Sequence, residues 1–246
     1  MRTIKLTLEY DGTLYHGWQL QPGLLTIQGV VQDRLTRMTQ EPVRVIGAGR
    51  TDAGVHALGQ VAHFRTTSTI LLPALQRGLN SLLPPDVVVT AVEEVPDSFH
   101  ARHSARSKVY VYVILNRPYP SALWRHYSWF IPQRLDLASM NTCGRTLIGN
   151  HDFTSFRASG DESPHSIRTV LSVEATPRTE SDLILVTIEA NAFLREMVRA
   201  IVGTLVSVGR GRISPEAFSD IVRVRDRRRA GVTAPARGLF LREVRY

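Results

Sequence analysis

The chain has 246 residues, 43% hydrophobic and 21% charged, enough for one large domain or two smaller ones, each with its own core. No apolar run is long enough to span a membrane as a helix, no basic-then-apolar secretory leader opens the chain, and the single cysteine, Cys143, excludes an internal disulfide framework or a CxxC metal site. One cysteine suits a reducing, cytoplasmic compartment, and a formal net charge of +8 invites an anionic partner.

The first element is a strand. Ile4, Leu6, Leu8 and Tyr10 alternate with Thr3, Lys5, Thr7 and Glu9, and Asp11-Gly12 then turns the chain. Thr26 caps a helix in which Ile27, Val30, Val31, Leu35 and Met38 recur at helical spacing. Val43 to Ile46 reads as a strand, followed by a glycine-rich loop and a strand near Gln60–Arg65. Leu72, Leu75, Leu79 and Leu82 mark a second helix, stopped by Pro84-Pro85, and Val87–Val95 is another strand. The order β-α-β-β-α-β is the split βαβ, or ferredoxin-like, arrangement. The rest of the chain repeats the plan. Strands are expected near Lys108–Leu115 and Tyr127–Ile131, a helix over Leu137–Ile148, strands near Thr169–Ala175 and Leu183–Ala190, and a helix over Phe193–Val208. A short helix opens at Ser214-Pro215, and a last strand covers Leu239–Val244. The expectation is an α+β chain of two halves, 1–105 and 106–246.

The charge is unevenly shared. Residues 1–105 hold nine Lys/Arg against nine Asp/Glu, whereas residues 106–246 hold 21 against 13, so the whole excess lies in the second half. Of the cations, 28 are Arg and two are Lys. A guanidinium grips phosphate with two parallel hydrogen bonds and stacks on bases, which an ammonium cannot do. The run Arg223-Val224-Arg225-Asp226-Arg227-Arg228-Arg229, with Arg210 and Arg212, is a candidate phosphate-tracking patch, or else a solvated surface.

Three segments hold residues suited to chemistry. Gly47-Ala48-Gly49-Arg50-Thr51-Asp52-Ala53-Gly54-Val55-His56 places three glycines in eight residues, which lets the backbone approach a ligand, and sets Arg50 two residues before Asp52. Alone, the loop reads first as a structural turn with a surface ion pair, and it lacks the Gly-Lys-Ser/Thr ending of a phosphate-binding P-loop. His56 reads as a structural loop histidine. On the strand Ser107–Leu115, Tyr110 and Tyr112 share one face, suited either to cross-strand packing or to stacking on an extruded base. On the helix Asn191–Gly203, Arg195 and Arg199 are four apart, a solvated pair or a holder for a carboxylate.

Together these segments resemble the TruA family of tRNA pseudouridine synthases. The matching stretches are EYDGTLYHGWQLQP (Glu9–Pro22), GAGRTDAGVHALGQVAHF (Gly47–Phe64), FHARHSARSKVYVYVI (Phe99–Ile114), HDFTSFRAS (His151–Ser159) and NAFLREMVRAIVGTLVSVGRG (Asn191–Gly211). No motif covers Arg117 to Arg134. The resemblance implies the pseudouridine-synthase fold, in which two ferredoxin-like halves share a central antiparallel sheet with the active-site cleft between them. It implies a cytoplasmic enzyme needing no cofactor and no metal, acting as a homodimer with one tRNA touching both subunits. Its substrates would be uridines at tRNA positions 38 to 40, in the anticodon arm. The family's catalytic aspartate falls on Asp52, the tyrosine of its K-x-Y-x-Y strand on Tyr110, the arginine of its M-V-R helix on Arg199, and the arginine of its G-R-T-D loop on Arg50.

That chemistry suits these residue types. Pseudouridine formation breaks the C1′–N1 bond, turns the uracil and joins C1′ to C5. A carboxylate can attack C1′, add to uracil C6 or help remove the 2′ proton, and Asp52 is open to all three. Tyr110 would hold the freed uracil, Arg199 would keep Asp52 ionised, and Arg50 would fill the space left by the flipped base. The main alternative is a non-catalytic RNA-binding module of the RRM type, but the RNP1 signature is absent. A zinc deaminase needs more than one cysteine, and a glycosidase needs a second placed carboxylate.

Overall fold

The N-terminal alternation produces β1 (Arg2–Tyr10), with Ile4, Leu6 and Leu8 completely buried. In the computed structural model, which describes residues 1–178 and 181–246, the chain forms two units: Met1–Arg106 with Phe240–Tyr246, and Ser107–Leu239. Among the described residues, no helix is long and apolar enough to cross a membrane.

In the first unit β1 leads to α1 (Ile27–Thr39), whose N-cap Thr26 accepts a hydrogen bond from Gly29 N–H. Then come β2 (Ile46–Gly47), β3 (His56–Thr66), α2 (Leu72–Leu82) and β4 (Val87–Val95). β1 pairs antiparallel with both β3 and β4, and β2 antiparallel with β3. The expected strand Val43–Ile46 is mostly not a strand. Val43 and Val45 do point inward, but α1 side chains take their backbone groups. Gln28 donates to Val45 O at 2.8 Å, and Val45 N–H and Val43 N–H donate to Gln32 and Thr36. The alternation reports burial; the backbone partners are side chains rather than a neighbouring strand.

The second unit begins with β5 (Ser107–Asn116), buried from Ser107 through Leu115, followed by β6 (Trp129–Ile131) and α3 (Leu137–Arg145). Tyr127 and Ser128 do not join β6, because a short 3-10 turn at Trp124–His126 precedes it. Then come β7 (Gly149–Asp152), β8 (Ile167–Arg178), β9 (Leu183–Ala190), α4 (Met197–Gly209) and α5 (Pro215–Val224). β9 lies antiparallel between β5 and β8, and β7 pairs with β8. β7 has no sequence signal: Gly-Asn-His-Asp shows neither alternation nor β-branching. It takes up residues just after the expected end of α3.

α4 starts four residues later than expected. Glu196 adopts the left-handed conformation (φ 59°), and the Arg195 N–H is taken by the Asp161 carboxylate. The helix is buried almost all round, as its apolar composition requires. The segment after Gly231 crosses it closely. Gly231 N–H donates to Thr204 Oγ1 at 2.9 Å, Ala234 N–H to Arg199 O at 3.1 Å, and a Cβ on Gly203 would lie 1.8 Å from Val232 O. Gly203→Ala is therefore expected to destabilise the protein by about 3 kcal/mol, because backbone must move to admit the methyl group. Urea unfolding of the variant checks this; an unchanged midpoint would show that the crossing segment yields freely.

The chain ends in β10 (Leu239–Arg245), which pairs parallel with the start of β3 through Phe240↔His56 and Leu241↔Ala57. Residues 240–246 thus belong to the first unit, although the division expected at residue 105 set them in the second half.

Candidate active site

The glycine-rich loop joins β2 to β3, and the segment following β1 holds it on several sides. The Trp18 ring lies against Gly47, where a Cβ would come within 2.5 Å of it. Trp18 N–H donates to Thr51 O at 3.0 Å, and Gly54 N–H to Tyr15 O at 3.3 Å. Gly12 sits so close to the loop that a Cβ there would fall 2.0 Å from Val55 O. Gly12 N–H also donates to His56 Nδ1 at 3.2 Å. His56 is 1% exposed and stacks on Phe240 at 4.7 Å, while Asp11 Oδ1 lies 3.1 Å from its Nδ1. It is a buried structural group.

Within the loop, Val55 N–H donates to Asp52 O at 3.1 Å, closing a tight turn with Gly54 at φ 75°. Thr51 is buried, and its hydroxyl lies 2.8 Å from the Tyr10 hydroxyl. Gln60, on β3, donates to Gly49 O at 2.9 Å. Residues 49, 51, 54 and 56 are thus each tied down; Asp52 is half-exposed and Ala53 exposed at the turn. Arg50 is exposed on the same loop. A carboxylate on a rigid, accessible turn can act on a bound ligand without first ordering itself.

In the second unit, Tyr110 lies on β5 and meets the Phe193 ring edge-on, with centroids 5.0 Å apart. Tyr112 does not share a stacking face with it. It is completely buried, its hydroxyl donates to Pro235 O at 2.7 Å, and burial raises its pKa above the ordinary tyrosine value. Both tyrosines are buried, Tyr110 at 6% exposure and Tyr112 at 0%, so β5 presents no open two-tyrosine platform. Arg199, on α4, donates Nε–H to Ala234 O at 2.8 Å and lies 3.4 Å from Glu196 Oε1. Arg195 precedes the helix, so Arg195 and Arg199 do not share a helical face as their spacing suggested. Phe193 and the Ala234–Pro235 carbonyls escaped the sequence reading. Their roles arise from contacts distant in sequence, and only the apolar stripe that included Phe193 hinted at one of them.

The arginine run after α5 is well exposed. Arg223 pairs with Asp220 at 2.8 Å, Arg225 with Asp152 at 3.2 Å and Arg228 with Asp226 at 2.9 Å. Arg227 is held by Gly231 O and Thr233 Oγ1. Such exposed pairs are weak and readily exchange a carboxylate for a phosphate. Among the described residues, no group of three or more His, Cys, Asp or Glu is placed to hold a metal ion.

The family model described as tRNA pseudouridine synthase matches residues 7–104 and 145–246. Proteins named tRNA pseudouridine synthase A from Thermoanaerobacter sp. (strain X514) and Geobacter sulfurreducens are each 47% identical to this chain over 246 residues, covering 100% of both chains. One of the same name from Acetivibrio thermocellus is 45% identical, again over 100% of both chains. A solved structure described as "Crystal Structure of a Cbf5-Nop10-Gar1 Complex" matches 82% of this chain and 54% of that chain at 13% identity and a TM-score of 0.33, too slight a likeness to carry an argument.

Proposed function

Because the chain belongs to the tRNA pseudouridine synthase family, we propose that it isomerises uridine to pseudouridine in tRNA, with Asp52 as the essential carboxylate. The observation that carries this reading is the loop itself: Asp52 stands half-exposed on a loop whose residues 49, 51, 54 and 56 are hydrogen-bonded to the body of the unit. The target uridine is flipped from its stack, at a cost of a few kcal/mol. Asp52 assists cleavage of the C1′–N1 bond, the uracil turns, C1′ joins C5, the C5 proton leaves to solvent and N1 takes up a proton. Tyr110, steadied by Phe193, supplies a ring face for the detached uracil. Arg199 supplies positive charge, and Arg50, at the loop's exposed edge, fills the space the base vacates.

The resemblance of the motifs points to uridines 38 to 40 of the anticodon arm, to a homodimer and to a cytoplasmic enzyme. The antiparallel strand order β4-β1-β3-β2 supports a ferredoxin-like plan for the first unit. Incubating the protein with unmodified tRNA and mapping pseudouridine by carbodiimide primer extension tests the proposal. Stops at positions 38 to 40 are expected; stops elsewhere would reassign the substrate, and none would remove the activity.

Binding is expected to weaken steeply with salt. About five phosphate contacts to arginine give log K against log[salt] a slope of roughly −3.5 to −4.5. A flat plot from filter binding would contradict a phosphate-tracking surface.

A further inference from the structure

We propose that Tyr10 and Thr51, backed by Gln60, are positioning residues for the reaction: their buried hydrogen bonds fix the chain immediately before Asp52, so that its carboxylate meets the target nucleotide in one orientation. The inference rests on the reading of Asp52 as the essential carboxylate.

Tyr10 is 3% exposed, Thr51 6% and Gln60 0%. The Tyr10 and Thr51 hydroxyls are 2.8 Å apart, and Gln60 Nε2 reaches both Gly49 O at 2.9 Å and the Tyr10 oxygen at 3.4 Å. Burial pushes the Tyr10 pKa up to about 12, so the hydroxyl stays neutral and keeps its proton.

The placement of this network separates it from ordinary core packing. Tyr10 ends β1 and Gln60 lies within β3; the two strands pair directly, with Leu8 opposite Gln60 and Tyr10 opposite Ala57 across a bulge. Thr51 is therefore tied to strand framework through its side chain and to Trp18 N–H through its carbonyl at 3.0 Å. Asp52 is the next residue. Two anchors on residue 51 and the turn bond from Val55 N–H to Asp52 O leave little freedom where the carboxylate departs. An apolar pair in place of the hydroxyls would fill the same volume but would not fix the loop's rotation. A shift of about 1 Å in a reacting group can cost on the order of a hundredfold in rate.

The test compares Tyr10→Phe, Thr51→Val, the double variant and Thr51→Ser with the unaltered enzyme. Thr66→Val serves as a control, since it removes another buried hydroxyl, bonded to Glu41, at the opposite end of β3. Single-turnover rates and KM for tRNA are measured well below each melting temperature. Tyr10→Phe and Thr51→Val are expected to lower the rate about tenfold or more with KM within about twofold. The double variant should lose no more than the worse single, because both remove one interaction. Thr51→Ser should recover most of the rate, and Thr66→Val should keep all of it. If Tyr10→Phe and Thr51→Val lower the melting temperature but not the rate, or act wholly on KM, the proposal is overturned. Should Thr51→Val fail to fold, Tyr10→Phe decides alone. An unaltered enzyme that makes no pseudouridine would instead refute the functional reading beneath it.

Discussion

Asp52→Asn is expected to abolish pseudouridine formation while leaving tRNA binding intact. The amide is nearly the size of the carboxylate, and the Asp52 backbone carbonyl still accepts from Val55 N–H, so the turn survives. What disappears is the charge, and with it the nucleophile or electrostatic partner for the breaking glycosidic bond. A rate loss on the order of 10⁴-fold or more corresponds to about 5.5 kcal/mol of transition-state stabilisation. Affinity should stay level or rise slightly, because RNA binding draws mainly on phosphate contacts and a negative charge has been removed near a polyanion. Filter binding together with a single-turnover assay checks both halves. Retained turnover would remove Asp52 from the chemistry, and lost binding with lost turnover would make it a structural residue.

Gly12→Ala is expected to have the next largest effect. A methyl group there would lie 2.0 Å from Val55 O, three residues past Asp52, and the obstacle is backbone rather than a side chain that could swing away. Either the turn after β1 or the 47–56 loop must move. The move also strains the hydrogen bond from Gly12 N–H to His56 Nδ1. Destabilisation of about 2–3 kcal/mol is expected from overpacking. A further fall in kcat, on the order of tenfold to a hundredfold, is expected below the melting temperature, because the loop is displaced even in the folded state. Thermal melts and kcat measured on the same preparation separate the two effects. A variant that melts early but turns over normally would show that the loop is indifferent to its strap.

Elements that announce themselves by local period were legible in the sequence. β1 and β4 alternate, α1 and α2 show helical spacing and capping or proline punctuation, and the residues 47–56 read as a loop from their glycines. Elements decided by distant partners were not. Residues 43–45 alternate like a strand yet bond to Gln28, Gln32 and Thr36 of a helix. β7 pairs with β8 beside it, and α4 begins late at the left-handed Glu196, beside which Asp161 holds the Arg195 N–H. The candidate site divides the same way. Residue types and spacing alone left Asp52 a turn aspartate; it stood out only through the five matching segments together. The strap that holds it, from Tyr10 to Trp18, lies more than thirty residues earlier, and nothing local links Tyr10 to Thr51 or Gly12 to Val55. Tyr112 looked equivalent to Tyr110 on a two-residue period, but Pro235 and Trp129 approach the one and Phe193 the other.

The most direct test uses tRNA carrying tritium at C5 of uridine. Isomerisation must release one C5 hydrogen for each pseudouridine made, and it must keep the base attached to the sugar. Incubation with this protein is therefore predicted to release tritium to water in step with pseudouridine recovered after nuclease digestion, with no free uracil. Free uracil would mean that the glycosidic bond is cut without rejoining, and tritium retained at C5 would mean that no isomerisation occurs. Either result would contradict the assignment.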